Sequence, residues 1–162
     1  MELWDAFDRD LNLIDGVTMV RGEPIPEGCY HLVCEIAVRH RDGTWLVMQR
    51  DPRKAMGGMW ELTAGGSAIK GEVPLTCARR ELREETGIDC PDLTELGRVV
   101  HLHYRTIYEE YLCVTDRDKD DITLQEGETV AWRWVTGDEL MDMARHELCC
   151  RRTLTFIPEL NP

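Results

Sequence analysis

Glu81, Glu84 and Glu85 stand three and four residues apart in a segment with helical periodicity, so their carboxylates project from one face. Like charges so close repel one another and cost stability unless a cation or an arginine sits among them. Arg80 adjoins the cluster, Glu72 precedes it, and Gly65-Gly66 come before that in what reads as a sharp loop. Mg²⁺ and Mn²⁺ are hard ions that take oxygen ligands, which matches an all-carboxylate set. A cation held there could act as a Lewis acid and make a bound water nucleophilic near neutral pH. A glutamate-rich helix face is ordinarily just solvated surface.

The elements that must position these residues are legible from local signals. Pro74 suits the first position of a helix and Gly87 the residue just past its end, which predicts a helix over 74–86. Leu75, Ala78, Leu82 and Thr86 give it an apolar stripe. A second helix is predicted over 137–148, opened by Thr136 or Asp138. Residues 29–38 and 44–50 are apolar and β-branched, and Asp42-Gly43 between them signals a hairpin. Residues 97–104 and 108–115 form a second antiparallel pair on this reading, and 129–135 alternates as a further strand. The N-terminal segment 1–28 adds a hairpin extension with Asp15-Gly16 near its turn. A mixed sheet flanked by helices, an α+β or α/β domain, is the sum.

With 162 residues, 43% of them hydrophobic, and no repeat or linker, the chain reads as one domain over 1–162. A net charge of −12 argues against non-specific binding to nucleic acid or to anionic lipid. It would also repel a phosphorylated substrate unless local cations reverse the field. Arg50, Arg53 and Lys54 form such a basic cluster just before the glutamates and are candidate substrate-binding residues. Neither a signal peptide nor an apolar run of membrane-spanning length is evident. Seven cysteines with no C-x-x-C pair argue against a disulfide framework or a zinc site and suit a reducing cytoplasm. Trp60, Trp132, Trp134, Tyr104, Tyr108 and Tyr111 read as core or sheet-face residues. His101 and His103 alternate with Leu102, which places both on one side of a strand as structural or pocket-lining groups.

The run from Gly66 to Ile88 resembles the Nudix box, G-x5-E-x7-R-E-U-x-E-E-x-G-U with U apolar, at every specified position. Gly58, Trp60 and Gly65-Gly66 resemble the family's approach to the box, and residues 126–135 resemble its acidic loop and following strand. The resemblance implies a Nudix-type α/β/α sandwich with a mixed sheet. It implies a metal-dependent hydrolase that cleaves a diphosphate bond in a nucleoside-diphosphate-linked or similar small molecule. Glu81, Glu84, Glu85 and the Gly65 carbonyl would be the metal ligands for Mg²⁺ or Mn²⁺, with Glu72 a ligand or a support behind them. Arg80 would orient a glutamate, and Glu84 and Glu85 would act in catalysis. The general base in this family comes from the box or from a downstream loop; Glu128 is the first choice, with Glu126 and Glu109 as alternatives. The cysteines are not expected to take part. The implied partner is a small phosphorylated molecule, and homodimers are common in the family.

Two other readings compete. The N-terminal part resembles the branch that includes isopentenyl-diphosphate isomerases, in which case no hydrolysis would occur. That enzyme's catalytic cysteine would fall at Gly65 here and its metal-binding histidines at Ser67 and near Pro24, leaving only His31 to match. A non-catalytic Nudix ligand-binding module is the second reading, although such proteins typically lose box glutamates and this chain keeps all of them.

Overall fold

A computed structural model describes residues 1–160. Seven of its strands form one mixed sheet: β3 (His31–His40), β4 (Trp45–Arg50), β5 (Trp60–Glu61), β6 (Ala64–Ser67), β7 (Thr94–His101), β8 (Thr106–Thr115) and β9 (Thr129–Val135). β3 runs parallel to β8 along its whole length, while β7–β8, β4–β9, β4–β5 and β3–β6 are antiparallel. β1 (Leu3–Phe7) and β2 (Leu13–Val20) make a separate two-stranded hairpin.

Period-two alternation sends the central strands to two cores. Cys34, Ile36 and Val38 of β3 and Leu46 and Met48 of β4 pack with Cys77, Ala78 and Leu82 of α1 (Pro74–Thr86). Ala37, Trp45 and Val47 face the other way, toward Leu140 and Met143 of α2 (Gly137–His146) and Leu154 and Ile157 of the C-terminal segment. Helices therefore cover both faces of the sheet, which is why β4 is apolar and buried from Trp45 to Met48 rather than alternating. Burial of one side chain the size of Leu82 contributes roughly 2 kcal/mol. The architecture is the expected α/β/α sandwich.

α1 keeps its predicted bounds. Pro74 occupies its first turn, and Gly87 at φ 73° donates its N–H to the Arg83 carbonyl, a left-handed stop that suits glycine. Thr136 caps α2 through a reciprocal pair with Glu139, but the helix ends at His146 rather than at 148. There the chain turns against β5: Trp60 donates to the Glu147 carbonyl at 2.9 Å and Cys149 to the Trp60 carbonyl at 2.8 Å. The segment after α2 forms two short 3-10 helices, 153–156 and 158–160.

Three sequence expectations are corrected. The N-terminal turn lies at 8–12, where Asp8 accepts from the backbone of Asp10 and Asn12; Asp15-Gly16 instead lies in β2, where the register slips by several residues against β1. Gly65-Gly66 belong to β6 rather than to a loop, paired with Glu35 and Cys34. β7 stops at His101, so His103 sits in the turn that Arg105 closes at φ 50°, and the two histidines do not share a strand face. The expected hairpin at Asp42-Gly43 is present and antiparallel, but its strands meet only where Arg39 faces Trp45 and then diverge.

Thr63 fills that divergence. In a left-handed conformation at φ 64°, its hydroxyl accepts from Val38 N–H of β3 at 3.1 Å and donates to the Leu46 carbonyl of β4 at 2.7 Å. The turn it makes between β5 and β6 lays Gly65 and Gly66 alongside β3 and beneath α1.

Candidate active site

α1 and β6 together form one wall of a cavity of about 290 Å³. Glu81, Glu84 and Glu85 line it, with Gly65, Gly66 and Glu128. Glu81 and Glu85 are buried and Glu84 is exposed. A Cβ on Gly66 would come within 2.5 Å of Glu81 Oε1, so only glycine lets that carboxylate lie flat against the strand.

Arg80 threads the cluster. Its guanidinium donates to Glu72 at 2.7 and 2.9 Å, to Glu81 at 2.7 Å, to Glu84 at 3.1 Å and to the Ser67 carbonyl at 3.1 Å. Glu72 also accepts from Ile69 N–H, so it fixes both Arg80 and the loop before α1. Glu85 has much less: the Gly65 N–H lies 3.4 Å away. Burial, and then the neighbouring Glu61 and Glu81, push its carboxyl up to about 8. Glu81 is also raised, by burial that outweighs the pull of Arg80.

Carboxylates crowded in a dry site, with an arginine already saturated, form a hard-oxygen donor set that a small divalent cation fits. Among the described residues no three His, Cys, Asp or Glu side chains yet converge as ligands around one point. Glu81, Glu84, Glu85 and the Gly65 carbonyl are the groups that could do so.

A second cavity of about 340 Å³ adjoins the first, sharing Val33 and Gly65 with it. Arg50 and Arg152 are its cations. Arg50 pairs with Glu61 and donates to the Ala55 carbonyl at 3.0 Å. Arg152 pairs with Glu35, donates to Glu110 at 2.7 Å, and lies 3.4 Å over the Tyr108 ring. Thr153 Oγ1 lies 2.7 Å from Glu110 and 3.1 Å from Glu35. One hydroxyl carries one proton, so both contacts are hydrogen bonds only when one of these carboxyls is protonated. Burial and the adjacent Glu110 accordingly raise Glu35 to about 7. Cys149 and Cys150 line this wall, and Cys149 is raised to about 11 by burial first and Glu61 next.

The residues singled out from sequence separate into three groups. Glu81, Glu84, Glu85, Arg80, Gly65, Lys54 and Glu128 meet at the first cavity, with Lys54 ion-paired to Glu128. Arg50 lies in the second. Arg53 lines neither; it is held bidentately by Asp51 at 2.8 and 2.7 Å with its side chain 72% exposed. Of the alternative bases, Glu109 is buried against Arg98 of β7, and Glu126 is exposed in the loop before β9. His31 stacks on Trp4 at 4.4 Å, and Trp132 and Trp134 both donate to the Lys119 carbonyl. Glu35, Glu110, Arg152 and Thr153 were not anticipated. Glutamates inside two largely apolar segments, one in CYHLVCEIAV and two in TIYEEYLCV, are the signal that could have found the acids.

Comparisons with known proteins agree with this geometry. The NUDIX domain family model matches residues 30–152. An uncharacterised Nudix hydrolase of Listeria monocytogenes is 35% identical over 142 residues, covering 86% of this chain and 83% of that protein. An 8-oxo-dGTP diphosphatase of Proteus vulgaris is 37% identical over 82 residues, half of this chain and 71% of that one. In fold, a crystal structure from Deinococcus radiodurans superposes with a TM-score of 0.77 at 16% identity, covering 99% of this chain and all of that one. The intact glutamate helix, the sandwich that carries it and these matches have one meaning: the chain belongs to the Nudix hydrolase family and is a pyrophosphohydrolase of that type.

Proposed function

We propose that the chain is a Mg²⁺- or Mn²⁺-dependent hydrolase of a nucleoside-diphosphate-linked small molecule. The observation that carries this reading is the pair of cavities joined at Gly65 and Val33, one rich in carboxylates and one walled by Arg50, Tyr108 and Arg152. A cation in the first would bring the diphosphate to the glutamates, and the second has the volume for one nucleoside-sized group.

Glu81, Glu84, Glu85 and the Gly65 carbonyl would hold the cation, which would neutralise phosphate oxygens and acidify water there. Arg80 fixes two of the glutamates so that the ligand geometry is set before substrate arrives. Glu128, on the facing loop, takes the proton from the attacking water. The water oxygen bonds to one phosphorus as the bridging P–O bond breaks, and the bridging oxygen leaves on the other phosphoryl group. Lys54, paired with Glu128, and Arg50 position the substrate. The Proteus relative, named as an 8-oxo-dGTP diphosphatase, supports a nucleotide as the substrate class. No described helix is long and apolar enough to cross a membrane. We infer a cytoplasmic enzyme, with a homodimer as the assembly to look for by sedimentation.

The test is a panel of ADP-ribose, nucleotide sugars, nucleoside diphosphates, oxidised triphosphates and isopentenyl diphosphate, followed by phosphorus NMR with and without Mg²⁺ or Mn²⁺. Metal-dependent appearance of two phosphorylated products from one diphosphate supports the reading. Cleavage of none, or isomerisation of isopentenyl diphosphate, overturns it.

A further inference from the structure

Three cations line the glutamate cavity: Arg80, Lys54 and Arg21. Two of them are committed. Arg80 spends its fork on Glu72, Glu81, Glu84 and Ser67, with its side chain 20% exposed, and Lys54 is closed against Glu128. Arg21 lines the cavity, donates through Nη1 to Glu2 at 2.9 Å and is 64% exposed, which leaves most of its five N–H donors open to solvent.

Arg21 is also held in place. It follows β2 directly, and its own N–H bonds to the Glu2 carbonyl at 3.0 Å. The Glu2 carboxylate is anchored by the indole N–H of Trp4 at 2.7 Å, and Trp4 stacks on His31 of β3. The hairpin as a whole is fastened to the loop that enters α1: Lys70 N–H bonds to the Leu3 carbonyl at 2.8 Å, and Gly71 N–H to the Asp5 carboxylate at 2.7 Å. These contacts fix the β1–β2 hairpin to the element that carries the glutamates. Residue 21 lies outside the stretch matched by the family model, which begins at 30.

We propose that Arg21 is a phosphate-binding residue of this site, supplied by the N-terminal hairpin, which clamps a phosphoryl group of the diphosphate. The assignment rests on the hydrolase reading above. In a chain of net charge −12, a guanidinium with open donors beside the glutamates meets a phosphate's need for bidentate donors, and Glu2 holds it ready until the anion arrives.

Calorimetric titration with methylenediphosphonate and with α,β-methylene-ADP, both in Mg²⁺, tests it without requiring turnover. Arg21→Ala is expected to weaken binding about tenfold, and Arg21→Lys by about threefold, because lysine keeps the charge and loses the fork. Arg145→Ala, which removes an exposed charge on α2, should stay within about twofold. Glu2→Gln frees the guanidinium and should tighten binding, and Glu2→Gln/Arg21→Ala should bind about tenfold more weakly than Glu2→Gln. Arg21→Ala matching Arg145→Ala overturns the proposal. So does a double variant equal to Glu2→Gln, because Arg21 would then serve only to neutralise Glu2. Absence of wild-type binding to both probes overturns this proposal and the hydrolase reading together. Binding that depends on Arg21 without cleavage of any substrate overturns the hydrolase reading and leaves the clamp standing.

Discussion

In the cavity under α1, Glu72, Glu81 and Glu84 share the single guanidinium of Arg80 and Glu85 has only a distant backbone N–H, whereas in the adjoining cavity Glu61 has Arg50 and the Glu35–Glu110 pair has Arg152. Both cavities are built from buried acids beside β3 and β6, and they differ in how much of the acid charge the protein itself answers. The second is close to internally balanced, with Thr153 completing its network. The first is left short of positive charge. An acid set that a fold fails to neutralise costs stability, and it persists where an outside cation completes it. The imbalance, more than the presence of glutamates, separates the cavity suited to chemistry from the one suited to holding the organic part of a substrate.

That contrast can be broken by substitution. Glu85→Gln should lower metal-dependent turnover by about a thousandfold, roughly 4 kcal/mol of transition-state stabilisation, with the fold retained by circular dichroism. Turnover within tenfold of wild type would end the assignment of Glu85 as a metal ligand. Glu128→Gln should slow the reaction by about a hundredfold with little change in Mg²⁺ affinity, and a normal rate would move the base elsewhere. Arg152→Ala should act on stability instead, since it leaves two carboxylates beside the second cavity without their cation. A loss of about 3–5 kcal/mol, or a Tm lower by roughly 10 °C, is expected, and a Tm unchanged in thermal melts would show that this network is not balanced by Arg152.

A smaller, pH-dependent effect sharpens the same point. Folded Glu85 keeps its proton up to about pH 8, against an ordinary value of 4.5. The folded chain thus binds the extra proton between those values, so this group favours folding most below pH 4.5 and the advantage drains away as pH rises through 8. In metal-free buffer the Tm of Glu85→Gln should overtake that of wild type by roughly 5 °C between pH 5 and 8, and Mg²⁺ should close the gap. A pH-independent difference in parallel melts would contradict this. The least effect belongs to Arg53→Ala. Because Asp51 holds that side chain away from both cavities, KM should rise by less than about threefold in steady-state assays, and a larger rise would place Arg53 on the substrate.

Legibility in the sequence followed the range of the interaction. α1 was bounded correctly because Pro74 and Gly87 act within one turn of themselves, and the box glutamates came with it. Asp15-Gly16 misled because the same dipeptide serves a tight turn and an irregular stretch of strand, and only pairing with β1 decides between them. Gly65-Gly66 have no side chains to reveal a strand, and their partners on β3, Glu35 and Cys34, lie far off in sequence. Arg152 reaches Glu35 and Glu110 across 117 and 42 residues of sequence, a distance at which no local pattern carries information. Arg21 likewise comes to line the cavity of the box glutamates from a distant part of the sequence.

Thr63 has a consequence for how such a site could change. A β-branched residue at φ 64° costs on the order of 1–3 kcal/mol, and its two hydrogen bonds to diverging strands lock the β5–β6 turn in one place. Gly65, two residues on, is a wall of both cavities. Any shift of that turn therefore disturbs both cavities in the same movement, so on the proposed reading neither cation geometry nor substrate seating can be adjusted there alone. New substrate preferences would have to arise on the far walls, in residues 50–56 and 149–153, where side chains can be exchanged while the shared edge stays still.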